Sequence, residues 1–202
     1  MRLMIVDSKS SAALAKAPEL VPADILSYAT SKSSLGHVLV ARGAKGVCAI
    51  LMGDECAYLE ADLVAAFPKA TPIANLIAVE EDLAKVLRFL EMPADGLHLT
   101  LDMRGTTFQR RVWEKLRAIS IGRTVTYMEL ARWISPIASP RAVARACAAN
   151  LIALAIPCHR VVRSSGDPSG YRWGVERKRE LLKMEAIACG RFRVPLHQEA
   201  RL

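Results

Sequence analysis

At Gly105 the chain changes texture, and no other feature limits its fold as much. Before this point, apolar runs of strand length alternate with glycine turns; after it, capping signals for short helices follow one another closely. "GHVLVARGAKGVCAILMGDE" holds Val38 to Ala41 and Val47 to Met52, separated by Gly43 and Gly46, which suits a hairpin with a flexible turn. A helix is expected from about Asp54 to Ala66, stopped by Pro68. "VEEDLAKVLRFLE" sets Leu83, Val86, Leu87 and Leu90 on one helical face, and "HLTLDM" then alternates like a strand. The first region reads as a small α+β unit that carries no chemistry of its own.

The second region is built differently. "GTTFQRRVWEKLRAIS" repeats Phe108, Val112, Leu116 and Ile119 at helical intervals, with Thr106 or Thr107 placed to cap and Gly122 to end the helix. "TVTYMELARWI" offers Thr126 and Glu129 as a capping box. After the connector "SPIAS", Ser139 can cap a further helix with Pro140 at its first position, followed by "RAVARACAAN". Two short helices and a connector suggest a helix-turn-helix, with a connector longer than the usual 3 to 4 residues. Downstream, "ERKRELLKMEAIACG" reads as a helix with Gly190 as its stop.

Charge divides at the same place. Residues 1–103 carry 9 Lys and Arg against 13 Asp and Glu, a net of −4, whereas residues 104–202 carry 19 against 7, a net of +12. Lys and Arg gain by replacing condensed counterions on phosphates, so a polyanion is one partner for the second region, and a generic solvated basic surface is the other reading. At 202 residues and 52% apolar composition the chain can bury one good-sized core or two small ones packed together. No apolar run approaches the roughly 18 residues that span a bilayer. The opening residues lack a sustained apolar core ahead of a cleavage-like site, so no signal peptide is expected and a cytoplasmic location is. The tail "GRFRVPLHQEARL" is expected to be loosely held. Five cysteines at irregular spacings, with no CxxC pair, predict reduced thiols rather than a disulfide framework or zinc finger. His37, His98, Cys48 and Cys56 fit no metal-ligand template, and no metal site is expected.

The helix after Pro140 is thin. Ala142, Ala144, Ala146, Ala148 and Ala149 leave little bulk, and Arg141 and Arg145 lie four apart on one side. Such a helix can enter a groove closely while holding cations toward phosphates or bases; equally, its alanines can serve tight packing in a core. Few of its side chains suit reading base edges.

"AIPCHRVV" places Cys158 directly before His159 and Arg160. Cysteine attacks as thiolate, so it needs a proton acceptor or positive surroundings, and both neighbours are candidates. Adjacent strand residues face opposite ways, so His159 acts on Cys158 only if the backbone turns here or a water bridges them; Pro157 is suited to hold such a bend. Glu176, Glu180 and Glu185 are candidates to orient the imidazole. A buried cysteine in an apolar run also serves as a small hydrophobe, and that alternative stays open on pattern alone.

"PCHRVV", preceded by "RAVARACAAN" and followed by "SGYRWGVERKRELLKMEA", resembles the signature of the O6-alkylguanine-DNA alkyltransferases, the methylated-DNA–protein-cysteine methyltransferases. The match runs from about Thr106 to Ala186, and "YATSKSSLGHVLVARGAKGVCAILMG" is similar to the family's N-terminal domain in the bacterial Ada type. The resemblance implies an α+β protein: a ribonuclease-H-like α/β domain over 1–103, and a mainly helical domain with the helix-turn-helix and active site over 104–202. It implies Cys158 as the acceptor that keeps the alkyl group as a thioether, one turnover per molecule. His159 is implied as the base acting through a water, Glu185 as the carboxylate orienting it, and Asn150 as the brace between helix-turn-helix and active-site segment. Tyr127 is implied to help turn the nucleotide out and to sit by the leaving guanine, and Arg141 to fill the vacated stack. Val161 and the loop Ser169, Tyr171, Arg172 and Trp173 are implied to line the guanine pocket, with Lys178 near it. Thr126, Ala142 and Arg145 join Tyr127 and Arg141 at the DNA surface. Arg172 stands where some relatives have serine.

The implied partner is double-stranded DNA carrying O6-alkylguanine, with O4-alkylthymine left open, bound in the minor groove without regard to sequence by a monomer that needs no cofactor and no membrane. The larger Ada proteins have a further zinc domain for phosphotriester methyl groups and transcription; this chain lacks its length and clustered cysteines, so repair without that half is expected. Two other classes compete. A non-catalytic alkylguanine-lesion-binding protein would replace the cysteine, which is present here, and a thiol hydrolase would need an oxyanion hole that the sequence does not identify.

Overall fold

The computed structural model describes residues 24–168 and 170–190. The expectations for the chain's start, for the tail beyond Gly190 and for Ser169 fall outside these residues. Glycine sets the first turns. β1 (Asp24–Ser33), β2 (Gly36–Gly43) and β3 (Gly46–Gly53) form an antiparallel meander, with Val38 opposite Met52 and Val40 opposite Ile50. Gly46 has φ 131, and a Cβ there would lie 2.4 Å from Thr100 O. Val38 to Ala41 and Val47 to Met52 are buried throughout, which is why both runs are continuously apolar instead of alternating.

Helix α1 (Cys56–Ala66) follows, and β4 (Ala70–Ala74) returns parallel to β1, giving the order β3-β2-β1-β4. Helix α2 (Leu76–Glu91) is capped by Asn75, whose side chain accepts from Ala78 N at 3.3 Å, and buries Val79, Leu83, Val86, Phe89 and Leu90. The mixed α+β architecture agrees with the expectation. Three details differ. The first helix starts at Cys56, not Asp54. Strands β1 and β4 carry few core side chains, so no apolar pattern announces them. "HLTLDM" forms no strand: it makes one parallel bridge at Leu101, with Val47 N donating to Thr100 O (2.9 Å) and Asp102 N to Val47 O (2.8 Å). Just beyond it, the Arg104 guanidinium is held by Asp102 (2.6 Å) and by Asp24.

Past Gly105 the capping signals translate directly. Helix α3 (Thr107–Arg117) starts with a capping box in which Gln109 N donates to Thr106 Oγ1 (3.2 Å) and Thr106 N to Gln109 Oε1 (2.8 Å). It ends at Arg117; Gly122 lies beyond it with φ 70, so it is not the helix stop. β5 (Val125–Thr126) leads into α4 (Tyr127–Ile134), where Thr126 and Glu129 form the second capping box. Residues 135–139 connect it to α5 (Pro140–Ala148), capped by Ser139, whose Oγ accepts from Ala142 N at 3.2 Å. α3, α4 and α5 pack on one another, and Trp113 Nε1 donates to Ala146 O at 2.8 Å. β6 (Val161–Val162) pairs parallel with β5, and α6 (Val175–Ala188) closes the described chain.

The two regions share one apolar cluster and one sheet edge. Ile50 N donates to Leu151 O (2.9 Å) and Ala153 N to Ile50 O (3.0 Å), so β3 holds the segment that leads to Cys158. Pairing of this kind covers an edge that would otherwise present free donors and acceptors. Among the described residues no helix is long and apolar enough to cross a membrane.

Candidate active site

Two tight turns deliver Cys158. At Leu154, φ is 67 and Ala155 N donates to Ala153 O (2.7 Å): a γ-turn in its strained, positive-φ form. At Pro157, φ −78 and ψ 63 with Cys158 N donating to Ile156 O (2.8 Å) make the relaxed inverse form, the bend for which a proline is suited. Cys158, His159 and Arg160 then form a single 3-10 turn. At about three residues per turn, successive side chains there point some 120° apart instead of to two opposite faces. The backbone therefore turns where the chemistry requires it to.

Asn150 fixes this turn from the end of α5. Fully buried, its Nδ2 donates to Ile156 O (2.9 Å) and to Cys158 Sγ (3.4 Å), while Oδ1 accepts from Ile152 N (2.9 Å). Burial pushes the Cys158 thiol above its ordinary value, against the smaller opposing effects of the Asn150 amide and Lys178. The resting group is a thiol, so attack requires a base.

His159 is the next residue. Its Nε2 lies 2.8 Å from Glu185 Oε1, and because an ionised carboxylate only accepts, Nε2 carries the hydrogen and Nδ1 the lone pair. Nδ1 is buried with no hydrogen-bond partner among the described residues. Burial lowers the imidazole's pKa, more than Glu185 raises it, so the ring is neutral and able to take a proton. Glu185 also accepts from Arg160 Nε (3.0 Å) and Nη2 (2.8 Å) and from Gly122 N (3.0 Å). Burial alone would raise this carboxyl, but His159 and Arg160 outweigh it and hold it at about 2. Of the three glutamates that pattern left open, Glu185 shares the buried face of α6 with Lys178 and Leu181. Lys178 Nζ donates to Val161 O at 2.6 Å, and burial lowers its pKa.

Cys158 opens on a cavity of about 430 Å³ lined by Tyr127, Ala144, Cys147, Ala148, Gly170, Tyr171 and Arg172. The predicted Tyr127, Cys158, Tyr171 and Arg172 thus meet in one place. Val161 and Trp173 do not line it. Val161 is wholly buried, and Trp173 stacks edge-on behind Tyr171 at 5.1 Å between ring centres. Thr126 has its hydroxyl committed to Glu129. On α5, Arg141, Arg145 and Ala148 are exposed and Ala142 and Ala144 half-buried, while Val143, Ala146 and Cys147 face the core, so the alanines serve both readings at once. The sequence did not single out Gly122 or Cys147 as site residues, and it offered Arg160 as positive surroundings for Cys158, whereas the structure pairs it with Glu185. Among the described residues no three His, Cys, Asp or Glu are grouped to hold a metal ion.

Comparison with known proteins places these features in context. Residues 107–187 match a family model described as 6-O-methylguanine DNA methyltransferase, DNA binding domain. The chain is similar to the bifunctional transcriptional activator/DNA repair enzyme Ada of Escherichia coli, 47% identical over 159 residues that make up 79% of this chain and 45% of that one. It spans about half the length of the curated relatives it matches. Its fold is similar to the crystal structure of Mycobacterium tuberculosis O6-methylguanine methyltransferase, with TM-score 0.64 and 31% identity over 81% of this chain and 94% of the other. A crystal structure of Mycobacterium tuberculosis OGT in complex with DNA matches with TM-score 0.63 and 31% identity, over 80% and 94%.

Proposed function

The chain belongs to the family of O6-alkylguanine-DNA alkyltransferases, and on that premise we propose that it repairs double-stranded DNA by moving the alkyl group of O6-alkylguanine onto its own Cys158. One observation carries this reading: a buried thiol facing a cavity of about 430 Å³, with a neutral histidine in the next position whose free nitrogen is buried and whose other nitrogen is held by a carboxylate. In this reading the chain divides the labour between two domains, 1–103 supporting and 104–202 carrying helix-turn-helix and chemistry.

The alkyl carbon of a stacked guanine is inaccessible, so the nucleotide has to leave the duplex. The thin face of α5 permits close approach in the minor groove, Arg145 adds phosphate attraction, and Arg141 fills the gap left in the stack. Tyr127, at the first turn of α4, borders the cavity and helps turn the nucleotide out; Arg172 and Tyr171 border the base from the other side. The Cys158 proton passes by way of a water to His159 Nδ1, and Glu185 stabilises the imidazolium that results. Thiolate sulfur bonds to the alkyl carbon as the carbon–O6 bond breaks, and the departing guanine anion takes a proton or hydrogen bond from the Tyr127 phenol. Asn150 holds the Ile156 carbonyl and the Cys158 sulfur, and Lys178 the Val161 carbonyl, in place for that attack. The product thioether is not hydrolysed under mild conditions, so each molecule acts once. Apart from the bridging water and the DNA, the groups in this scheme belong to the chain itself, acting as a monomer in the cytoplasm.

Intact-protein mass spectrometry tests the reading. Equimolar protein and a duplex with one O6-methylguanine are expected to give a single methyl addition on the peptide containing Cys158. Cys158→Ser is expected to lose the addition while still binding the duplex. An unmodified protein that binds the lesion would make the chain a damage-recognition protein, and repeated turnover on esters would make it a hydrolase.

A further inference from the structure

The mechanism uses nothing from the first hundred residues, yet one side chain of α6 joins them to the cavity wall. Arg177 spreads its guanidinium over three separate pieces of chain. Nε donates to Leu35 O (2.7 Å) in the β1–β2 turn, Nη2 to Asp54 after β3, and Nη1 to Trp173 O (2.9 Å) in the loop that carries Tyr171 and Arg172. The planar fork of arginine can hold three acceptors in fixed directions where a lysine cannot. The surroundings are shaped to it: a Cβ at Gly36 would come within 2.9 Å of Nη2, and one at Gly174 within 3.6 Å of Nη1. Arg177 is partly buried, whereas Asp54 is largely exposed, so the two carbonyl bonds matter more than the ion pair.

From Trp173 the contact continues inward. Trp173 meets Tyr171 edge-on, and Tyr171 both lines the cavity and stands edge-on to His159, with ring centres 6.4 Å apart. We propose that Arg177 is a positioning residue through which the N-terminal sheet holds the Tyr171–Trp173 loop as the wall of the base pocket. This inference rests on the alkyltransferase reading of that pocket. Within the loop Gly174 N donates to Tyr171 O at 3.0 Å, and Trp173 packs into the apolar core. Freed from Arg177, the loop must be ordered by each incoming base, and ordering costs on the order of tenfold in the productive complex.

The test compares Arg177→Ala, Arg177→Lys and Asp54→Ala in the full chain. Single-turnover transfer from an O6-methylguanine duplex is expected to slow by about tenfold in Arg177→Ala, about threefold in Arg177→Lys and less than about twofold in Asp54→Ala. Final stoichiometry is expected to remain one methyl per protein, and affinity for undamaged duplex to stay unchanged because α4 and α5 are untouched. Amide exchange within 170–174 is expected to speed up in Arg177→Ala with no change in 127–148. A general loss of folding would lower stoichiometry and duplex affinity together, and that result overturns the proposal, as does wild-type transfer with wild-type exchange in Arg177→Ala. A wild-type protein that accepts no methyl group sinks the alkyltransferase reading instead, while the exchange measurement still judges the tie.

Discussion

The two regions of this molecule bury polar groups very differently. Among the described residues, the sheet and its helices bury one charged side chain, Asp82, which lies 3.3 Å from Arg42. The stretch from Asn150 to Glu185 buries Asn150, His159, Arg160, Lys178 and Glu185. The first region is stabilised by ordinary apolar burial. The second places ionised and polar groups where each depends on its partners, an arrangement that contributes little net stability but fixes orientation. Chemistry sits in the second because a thiol and its base need a fixed, dry setting, and the first supplies the edge and core against which that setting is held.

The sharpest way to break this comparison is to remove the shared carboxylate. Glu185→Ala leaves Arg160 and His159 buried without their acceptor and is expected to cost about 3–5 kcal/mol in urea unfolding. It should also abolish most transfer per folded molecule. Leu63→Ala, in the apolar core under α1, is expected to cost about 2–5 kcal/mol yet leave transfer per folded molecule unchanged. If both variants lose stability and transfer in the same proportion, the two regions do not differ in the way described.

Acid sharpens the same contrast. Glu185 is held at about 2 in the folded chain against 4.5 ordinarily, so its contribution is complete above 4.5 and disappears as pH falls toward 2. The folded state also lowers His159 below 6.5, so the unfolded chain binds that proton first and stability begins to fall below 6.5. Unfolding free energy is expected to decline from pH 6.5 to 3.5, and Glu185→Ala to flatten the part below 4.5. A limb of unchanged steepness in that variant would assign acid sensitivity to other groups.

Much of this could be read from the residues before any coordinates. Side-chain caps at Thr106, Thr126 and Ser139 announce three helices because a cap is a local device, made by residues three apart. Strands β1 and β4 are silent for a different reason: they are held by backbone pairing, to each other across about 45 residues and from β1 to β2, and of β1 only Leu26 is fully buried. "HLTLDM" has the alternation of a strand but only one bridge's worth of edge to pair with. In the site, Cys158 and His159 are legible as neighbours with complementary chemistry, whereas the choice of Glu185 over Glu176 and Glu180 needs the resemblance or the register of α6. Arg177, and the pairing of Arg160 with Glu185, are hidden by their company. In a region with a net charge of +12, an arginine reads as a DNA-facing cation, and only burial reveals that these two hold carboxylates and carbonyls.

Arg141 and Arg145 are the converse: exposed cations that the site does not employ internally. If both meet phosphates alone, each alanine substitution should lower the slope of log affinity against log salt by about one and leave transfer from saturating duplex unchanged. A residue that fills the base stack behaves otherwise, since its energy is spent only when a nucleotide leaves the helix. Arg145→Ala is therefore expected to show the slope change alone. Arg141→Ala is expected to slow transfer from duplex, even at saturation, more than transfer from free O6-methylguanine base, which has no stack to fill. Equal slowing on both substrates would remove Arg141 from the groove and leave the basic face of α5 as a phosphate surface only.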